Sequence, residues 1–181
     1  MLCVSGLLIA VGIIIPMYSP LKLILEPASF TLASHVAIIV AMFISPAMAA
    51  SVAIGTTIGF YLGAYPIVIV LRAATHVIFA TAGAAYLLSE KRKAKLCSSF
   101  FSLRIYSFLV ALAHSLCELV VVSVFYFYGS MGPKYYEHGF FTSVLLLVGL
   151  GTIVHSMVDF ELAHVVILAL RKMQGFKAII R

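Results

Sequence analysis

Long apolar runs alternate with short polar segments along the whole chain. A helix that crosses a bilayer needs about 20 predominantly apolar residues, and six runs approach or exceed that length. Prolines mark several ends, as at Ser45-Pro46, because the residue before proline disfavours the helical conformation. The pattern predicts an all-α integral membrane protein, a single domain over residues 1–181 with six transmembrane helices. The predicted spans are residues 2–18, 31–46, 48–64, 66–88, 102–128 and 140–170.

The basic residues between and after these spans indicate the orientation of the chain, because Lys and Arg are enriched in cytoplasmic loops. Four fall in a predicted basic loop at 90–95 and four in the tail, whereas the loops after spans one and five hold one each, Lys22 and Lys134. This distribution places both termini in the cytoplasm. It places the polar, proline-bearing loop of residues 19–30, with Glu26 and Pro27, outside. The tail residues are Arg171, Lys172, Lys177 and Arg181.

Composition favours a bilayer over an aqueous environment. The 181 residues are 64% hydrophobic and 10% charged, whereas soluble domains carry about 25% charged residues. The net charge of +6 comes from residues clustered at helix ends and does not suggest a nucleic-acid partner. Cys3, Cys97 and Cys117 form no CxxC pair and are interpreted as free thiols. The apolar N-terminus lacks a basic leading region, so it is interpreted as a retained first span rather than a signal peptide.

Arg72 lies within an almost wholly apolar run and is the most informative residue of the sequence. A guanidinium keeps its proton, and facing lipid alone it would be strongly unfavourable. We therefore expect Arg72 to receive a ligand or an acidic side chain. The alternative is an internal ion pair with Glu118 that fixes helix register. A buried pair adds little net stability. This favours a binding site in which an anionic ligand competes for Arg72.

Polar residues on three predicted spans share helix faces, because residues four apart lie on the same side of a helix. They offer side chains to a common interior. A lone histidine such as His35 is more simply explained by helix–helix hydrogen bonding. His164 is interpreted as a boundary residue and His138 as a solvated one. The pairs are Arg72/His76, His114/Glu118 and His155/Asp159.

Small residues and aromatic residues form two further patterns. Gly6 and Ala10, with Ser5 alongside, make a small-xxx-small face on span one, and such faces let helices approach closely. Glycines at four-residue spacing on span three, from Gly55 to Gly63, are explained by internal packing. Aromatic residues crowd the predicted outer ends as an interface belt, and a few are candidates for stacking on an aromatic ligand. The stacking candidates are Tyr61, Tyr65 and Phe125.

The motifs of several enzyme and cofactor classes do not occur in the sequence. It has no GxxxxGK[ST] P-loop, no HExxH zinc-protease motif, no GxSxG nucleophile elbow and no CxxCH haem attachment. Catalysis is therefore not expected, and no cofactor or metal is assigned. Two alternatives to a binding subunit stay open. One is a standalone proton- or ion-coupled carrier that uses the intramembrane His/Glu/Asp pairs, and the other is a haem or metal protein built from facing histidines.

Three stretches of the sequence resemble a known family. They are residues 27–36 (PASFTLASHV), residues 41–46 (AMFISP) and residues 55–73, from GTTIGF to IVIVLRA. With the six-span pattern and the small-residue first helix, they resemble the S components of energy-coupling factor (ECF) vitamin transporters, in particular the niacin type, the NiaX proteins. The likeness covers most of the chain in architecture and residues 27–86 in motif-like detail.

The resemblance implies a high-affinity vitamin-binding subunit of an ATP-driven importer in the bacterial cell membrane. The pocket would lie between the outer halves of helices 4–6 and the loop after helix 1, which would act as a lid. The partners would be a transmembrane coupling subunit, EcfT, and two ECF ATPases. Gly6 and Ala10, with Ser5 alongside, match the first-helix motif that packs on the coupling subunit.

Nicotinate, a planar ring with one carboxylate, is the ligand that the niacin-type resemblance implies. Arg72 would clamp the carboxylate bidentately, a geometry that guanidinium favours. His76 or His114 would bond the carboxylate or the ring nitrogen. Glu118 would hold Arg72 in place or accept a proton from the pyridine nitrogen. The expected substrate-binding residues are Arg72, His76, His114, Glu118, His155, Tyr61, Tyr65 and Phe125.

Overall fold

A helical bundle with one short β-hairpin makes up the described part of the chain. The computed structural model describes residues 1–25 and 28–173. Glu26, Pro27 and the tail residues Lys177 and Arg181 lie outside the described residues. The elements are α1 (Leu2–Tyr18), β1 (Lys22–Leu25), β2 (Ala28–Thr31), α2 (Val36–Met42), α3 (Pro46–Leu62), α4 (Ile67–Tyr86), α5 (Glu90–Ser98), α6 (Phe100–Phe127), α7 (Lys134–Glu137), a π-helix (Phe141–Leu150) and α8 (Gly151–Arg171). The strands pair antiparallel in the register Lys22↔Thr31, Leu23↔Phe30, Ile24↔Ser29 and Leu25↔Ala28.

Within residues 1–25 and 28–173, three helices are long and apolar enough to cross a membrane: α4, α6 and the continuous π-helix and α8. Two further apolar helices, α1 and α3, have 17 residues each. Large apolar side chains such as Ile78 and Val120 point out of the bundle, as lipid-facing positions require. The chain is therefore an all-α membrane protein apart from its hairpin. The six-span count and the cytoplasmic termini stay predictions.

The second predicted span differs most from the prediction. Of residues 31–46, only Val36–Met42 form a helix, α2. The residues before it end β2 and then form a turn, in which Ala33 has a φ of 68°. The carboxylate of Asp159 on α8 accepts a hydrogen bond from the Ala33 backbone N–H at 2.7 Å. A contact between residues so far apart in the chain leaves no trace in local apolar periodicity.

The short helix α2 is the buried centre of the bundle. All seven of its residues are buried, and α1, α3, α4 and α8 pack around it. The boundary with α3 falls at the predicted Ser45-Pro46 junction. Ser45 Oγ accepts the Met48 backbone N–H at 3.1 Å, and Pro46 takes the first helical position, where its missing N–H costs nothing. A helix that is apolar all round is thus enclosed by protein rather than lipid.

The predicted basic loop at 90–95 is wrong, because these residues lie in the helix α5. Lys and Arg are good helix formers. Lys93 turns inward, and its Nζ donates a hydrogen bond to the carbonyl oxygen of Phe43 at 2.9 Å. Burial lowers the pKa of the Lys93 ammonium from its ordinary value. This hydrogen bond connects α5 to the C-terminal end of α2.

Glycines on α3 make room for α1. A Cβ at Gly55 would collide with the side chain of Ile9, and one at Gly59 would collide with that of Ile13. The close packing of these two helices confirms the internal-packing explanation for Gly55 and Gly59. Gly6 on α1 has different surroundings, since a Cβ there would meet nothing within 4 Å. The part of α1 that carries Gly6 is turned away from the rest of the described bundle.

Candidate functional site

Six polar side chains converge on one cavity at the hairpin end of the bundle. The cavity has a volume of about 160 Å³ and is lined by the hairpin and by α1, α2, α3, α4, α6 and α8. Pockets for drug-sized ligands begin at about 300 Å³, so this space suits a molecule with a single ring. The polar lining residues that matter most here are His35, Arg72, His76, His114, Glu118 and His155.

Arg72 on α4 and Glu118 on α6 form an ion pair that joins the two helices. Arg72 Nη2 donates to Glu118 Oε2 at 2.9 Å, and the Thr152 hydroxyl donates to the same oxygen at 2.8 Å. The pair that the sequence suggested is therefore formed. Arg72 Nε, however, is buried and has no hydrogen-bond acceptor among the described residues. A guanidinium with a free, buried donor is prepared to accept a second carboxylate.

Asp159 is a second carboxylate, fully buried behind the cavity. It accepts the backbone N–H groups of Ala33 at 2.7 Å and His35 at 2.9 Å, and the Ser34 hydroxyl at 3.3 Å. It also accepts the ring Nδ1–H of His35 at 3.0 Å. Four donors from one turn thus converge on one side chain of α8. Asp159 fixes the turn that leads from the hairpin into α2 and sets the orientation of the His35 ring.

Four histidines form a contiguous cluster at the floor of the cavity. The ring centroids of His35 lie 5.0 Å from His76, 4.7 Å from His114 and 5.0 Å from His155, and those of His76 and His114 lie 4.7 Å apart. His114 Nδ1 hydrogen-bonds Ser156 Oγ at 2.7 Å. The Nε2 atoms of His76 and His114 are buried without a hydrogen-bond partner. Such groups are rare in native interiors and call for an explanation.

Aromatic side chains form the upper wall. Phe60 and Tyr65 stack with ring centroids 4.8 Å apart and an interplanar angle of 22°. Phe30, on β2 of the hairpin, lies over His155 with a centroid distance of 5.4 Å. The Phe30 ring also occupies the space that a Cβ at Gly151 would need. Burial raises the pKa of Tyr65, so its hydroxyl stays protonated near neutral pH. The cavity lining therefore combines flat apolar rings with imidazoles.

The structure brings together most, but not all, of the predicted site residues. Arg72, His76, His114, Glu118, His155 and Tyr65 line the cavity. Tyr61 points out of the bundle with 66% of its surface exposed, and Phe125 does not line the cavity either. Only one face of α3 and of α6 turns inward, and neither side chain lies on the face that lines the cavity.

Sequence reasoning missed several lining residues, among them His35, Phe30, Phe60 and Thr152. His35 was interpreted as a helix–helix hydrogen-bonding residue, and its bond to Asp159 agrees with that in part. The sequence did contain a signal that His35 and Phe30 belong to the site, since both lie in the PASFTLASHV stretch that carries the family resemblance. Phe60 differs from the predicted Tyr61 by one helical position, which turns a side chain by about 100°.

The predicted partner-facing residues lie far from this cavity, on α1. Gly6 and Ala10 are exposed and Ser5 is half-buried. Leu7, on the same stretch, is 59% exposed. A small-residue face flanked by exposed leucine is thus open to a neighbouring helix in the membrane.

One curated protein is clearly similar in sequence to this chain. The niacin transporter NiaX of Lactococcus lactis subsp. cremoris (strain MG1363) is 44% identical over 162 residues, which cover 90% of this chain and 70% of that protein. No protein-family model matches the chain. No solved structure matches it.

Proposed function

The chain belongs to the family of the niacin transporter NiaX, and from this premise we propose that it binds nicotinate in the cavity lined by Arg72 and the histidine cluster. We propose further that it does so as the S component of an ECF importer. The observation that carries the proposal is the buried Arg72 Nε, which lacks an acceptor in the described chain. Nicotinate offers a carboxylate, the group that a guanidinium binds best.

Recognition of the carboxylate follows from the way Arg72 is held. Glu118 Oε2 accepts hydrogen bonds from Arg72 Nη2 and from the Thr152 hydroxyl, and these two bonds hold the ion pair in place. Only Nη2 of Arg72 is engaged by Glu118. Nε and the remaining guanidinium N–H groups can therefore serve an anion without breaking the ion pair. Because Arg72 is held before the ligand arrives, little side-chain entropy is lost on binding.

The pyridine ring would contact both the aromatic rings and the imidazoles that line the cavity. Phe60, Tyr65 and Phe30 provide apolar faces, and such faces favour offset or edge-to-face contact with another aromatic ring. The imidazoles provide hydrogen-bonding nitrogens. A compact cavity of about 160 Å³ excludes the larger vitamins by size. Tight fit and one charged anchor together supply specificity.

The hairpin serves as the lid over this site. Its described residues run from Lys22 to Leu25 and from Ala28 to Thr31, inside the predicted lid of residues 19–30. The hairpin contacts the bundle through Ala28 and Phe30, which belong to a buried cluster with Val122, Val144 and Val148, and through the turn held by Asp159. A two-stranded hairpin is only marginally stable by itself, so opening it costs mainly the contacts of Ala28 and Phe30 while the Asp159 anchor stays closed.

The membrane arrangement completes the proposal. Six apolar segments, with α2 as a short enclosed one, would place both termini in the cytoplasm and the hairpin outside. The exposed α1 face with Ser5, Gly6 and Ala10 would pack on the coupling subunit EcfT, and two ECF ATPases would supply the energy. The protein would reside in the bacterial cell membrane as a multi-pass transport subunit, without catalytic activity of its own.

A standalone ion-coupled carrier is the second candidate. The observation that favours it is the continuous polar chain from Arg72 through Glu118 and the histidines to Asp159, a composition typical of proton pathways in membranes. The two candidates differ in whether transport needs partner subunits, because a standalone carrier moves its substrate without them.

Uptake of labelled nicotinate into proteoliposomes separates the candidates. We expect accumulation only when the chain is reconstituted with the coupling subunit, both ATPases and internal ATP. Gly6→Phe, on the exposed α1 face, should abolish uptake while nicotinate binding to the purified subunit is unchanged. Val120→Phe, at a lipid-facing position of α6 with 66% exposure, is the matched control and should retain uptake. ATP-independent uptake by the chain alone would favour the carrier.

A further inference from the structure

We propose that His35, His76 and His114 form a binding site for one divalent transition-metal ion, such as Zn²⁺, at the floor of the cavity. One ring nitrogen from each of the three histidines lies within 4.8 Å of the others. The site rests on these side chains alone and does not depend on the assignment of niacin. Imidazole nitrogen is a preferred ligand of Zn, Ni, Co and Cu ions.

The three rings need only small movements to reach coordination distance. Zn–N bonds are about 2.0–2.1 Å long, so ligating nitrogens of a tetrahedral site lie about 3.3 Å apart. Side-chain shifts of about 1 Å or less therefore close the site from the observed spacing. All three histidines are buried, with exposed fractions of 8% for His35, 7% for His76 and 1% for His114. Their burial limits competition from bulk water for these nitrogens.

The outer contacts of His35 and His114 match those of metal ligands. A ligating histidine usually donates its second ring N–H to a carboxylate, a backbone carbonyl or another acceptor, which fixes its tautomer and orientation. His35 Nδ1 donates to Asp159 at 3.0 Å, so its proton resides there and Nε2 keeps a free lone pair. His114 Nδ1 is engaged by Ser156 Oγ at 2.7 Å, which leaves Nε2 as the available nitrogen.

Two of the nitrogens that would coordinate the ion have no other partner among the described residues. His76 Nε2 and His114 Nε2 are buried without hydrogen-bond partners. Their distances to Glu118 Oε1, 3.8 Å and 3.4 Å, are too long for good hydrogen bonds. A metal ion would satisfy both atoms at once.

The charge balance of the site is also compatible with a bound cation. The buried ionic groups around the cavity are Arg72, Glu118 and Asp159, which sum to −1 when the imidazoles are neutral. Lys22 also lines the cavity but is exposed at its mouth. If the proposed function holds, nicotinate would raise the buried charge to −2, and one divalent ion would neutralise it. Burying an uncompensated charge is strongly unfavourable, so the anion and the cation would each favour the other's binding.

Three protein ligands leave an open coordination position toward the cavity, as in catalytic zinc sites. With the carboxylate on Arg72, the pyridine nitrogen of nicotinate is the ligand group left to fill that position. This step rests on the proposed function, whereas the metal site itself does not.

The metal site is tested on protein purified without a polyhistidine tag and stripped with a chelator. Co²⁺ is titrated in the absence of nicotinate and followed by its visible absorption, and bound Zn²⁺ is counted by elemental analysis. We expect one ion per chain. His76→Gln should weaken Co²⁺ binding at least 100-fold, and Ser156→Ala about 10-fold through loss of the outer contact. His164→Gln, which changes a histidine of α8 outside the cluster, should bind the ion as the parent does.

The outcomes separate this proposal from that of niacin binding. Absence of a stoichiometric ion, or equal Co²⁺ binding by His76→Gln and the parent, would overturn the metal site. Thermal unfolding of His76→Gln near the parent temperature establishes that the variant is folded. Nicotinate binding that persists unchanged in chelator would also overturn the role of the metal but leave the proposed function intact. Binding that is lost in chelator and restored by Zn²⁺ would support both.

Discussion

Arg72→Ala is expected to weaken nicotinate binding by at least about 100-fold, because a charge-assisted bidentate contact contributes about 3 kcal/mol. The substitution also leaves Glu118 as a buried, unpaired carboxylate, which would repel the nicotinate anion. Calorimetric titration of the purified, ligand-stripped protein measures the loss directly. The effect should be large because Arg72 is the buried cation beside the described cavity, with its Nε free to donate.

Two further variants make this prediction specific. Arg72→Lys keeps the charge and most of the ion pair but cannot present two parallel donors, so we expect an intermediate loss of about 10-fold. Arg104→Ala is the matched control. Arg104 also lies on a membrane helix and pairs with an acid, Glu161, at 2.6 Å, but it does not line the cavity. Equal affinity in Arg72→Ala and Arg104→Ala would contradict the carboxylate clamp.

Asp159→Ala is expected to destabilise the protein by about 3–5 kcal/mol, the usual effect of removing one partner of a buried charged network. It would leave the N–H groups of Ala33 and His35 and the His35 ring without their acceptor. The turn into α2 and the hairpin above it would loosen, so nicotinate binding should fall as well. Thermal unfolding in detergent, followed by far-UV circular dichroism, measures the stability.

Glu161→Ala is the matched control for this effect. Glu161 lies two residues along α8 and is also paired, but with Arg104 at a more exposed position, where ion pairs contribute about 0–1 kcal/mol. Asp159→Asn should fall between the two, because one carbonyl oxygen can still accept from the turn. An Asp159→Ala protein as stable as Glu161→Ala would show that the turn does not depend on this carboxylate.

The sequence predicted the parts of the structure that local chemistry determines. A guanidinium in an apolar run had to find a partner, and Arg72 does pair with Glu118. The i, i+4 pairs placed His76 and His114 on inward faces, because helix geometry alone decides which residues share a face. Family membership, inferred from motif-like stretches, is confirmed by the similarity to NiaX.

Other features could not be predicted from the sequence, because contacts between residues far apart in the chain determine them. The apolar residues 31–46 have the composition of a spanning helix, yet the first part is a strand end and a turn because Asp159, more than 120 residues later, binds its backbone N–H groups. Similarly, α5 is set in place by the bond from Lys93 to Phe43. Phe60 rather than Tyr61 lines the cavity because the packing of α3 against α4 and α1 determines which face of α3 turns inward.

The measurement that tests the central claim most directly is a paired titration of the purified, ligand-stripped protein with nicotinate and nicotinamide. The two molecules share a ring and nearly the same size, and only nicotinate carries a charge. We expect one-to-one binding of nicotinate and at least about 100-fold weaker binding of nicotinamide, since the amide cannot form the charged contact with Arg72. Equal affinities, or no binding of nicotinate, would contradict the proposed function.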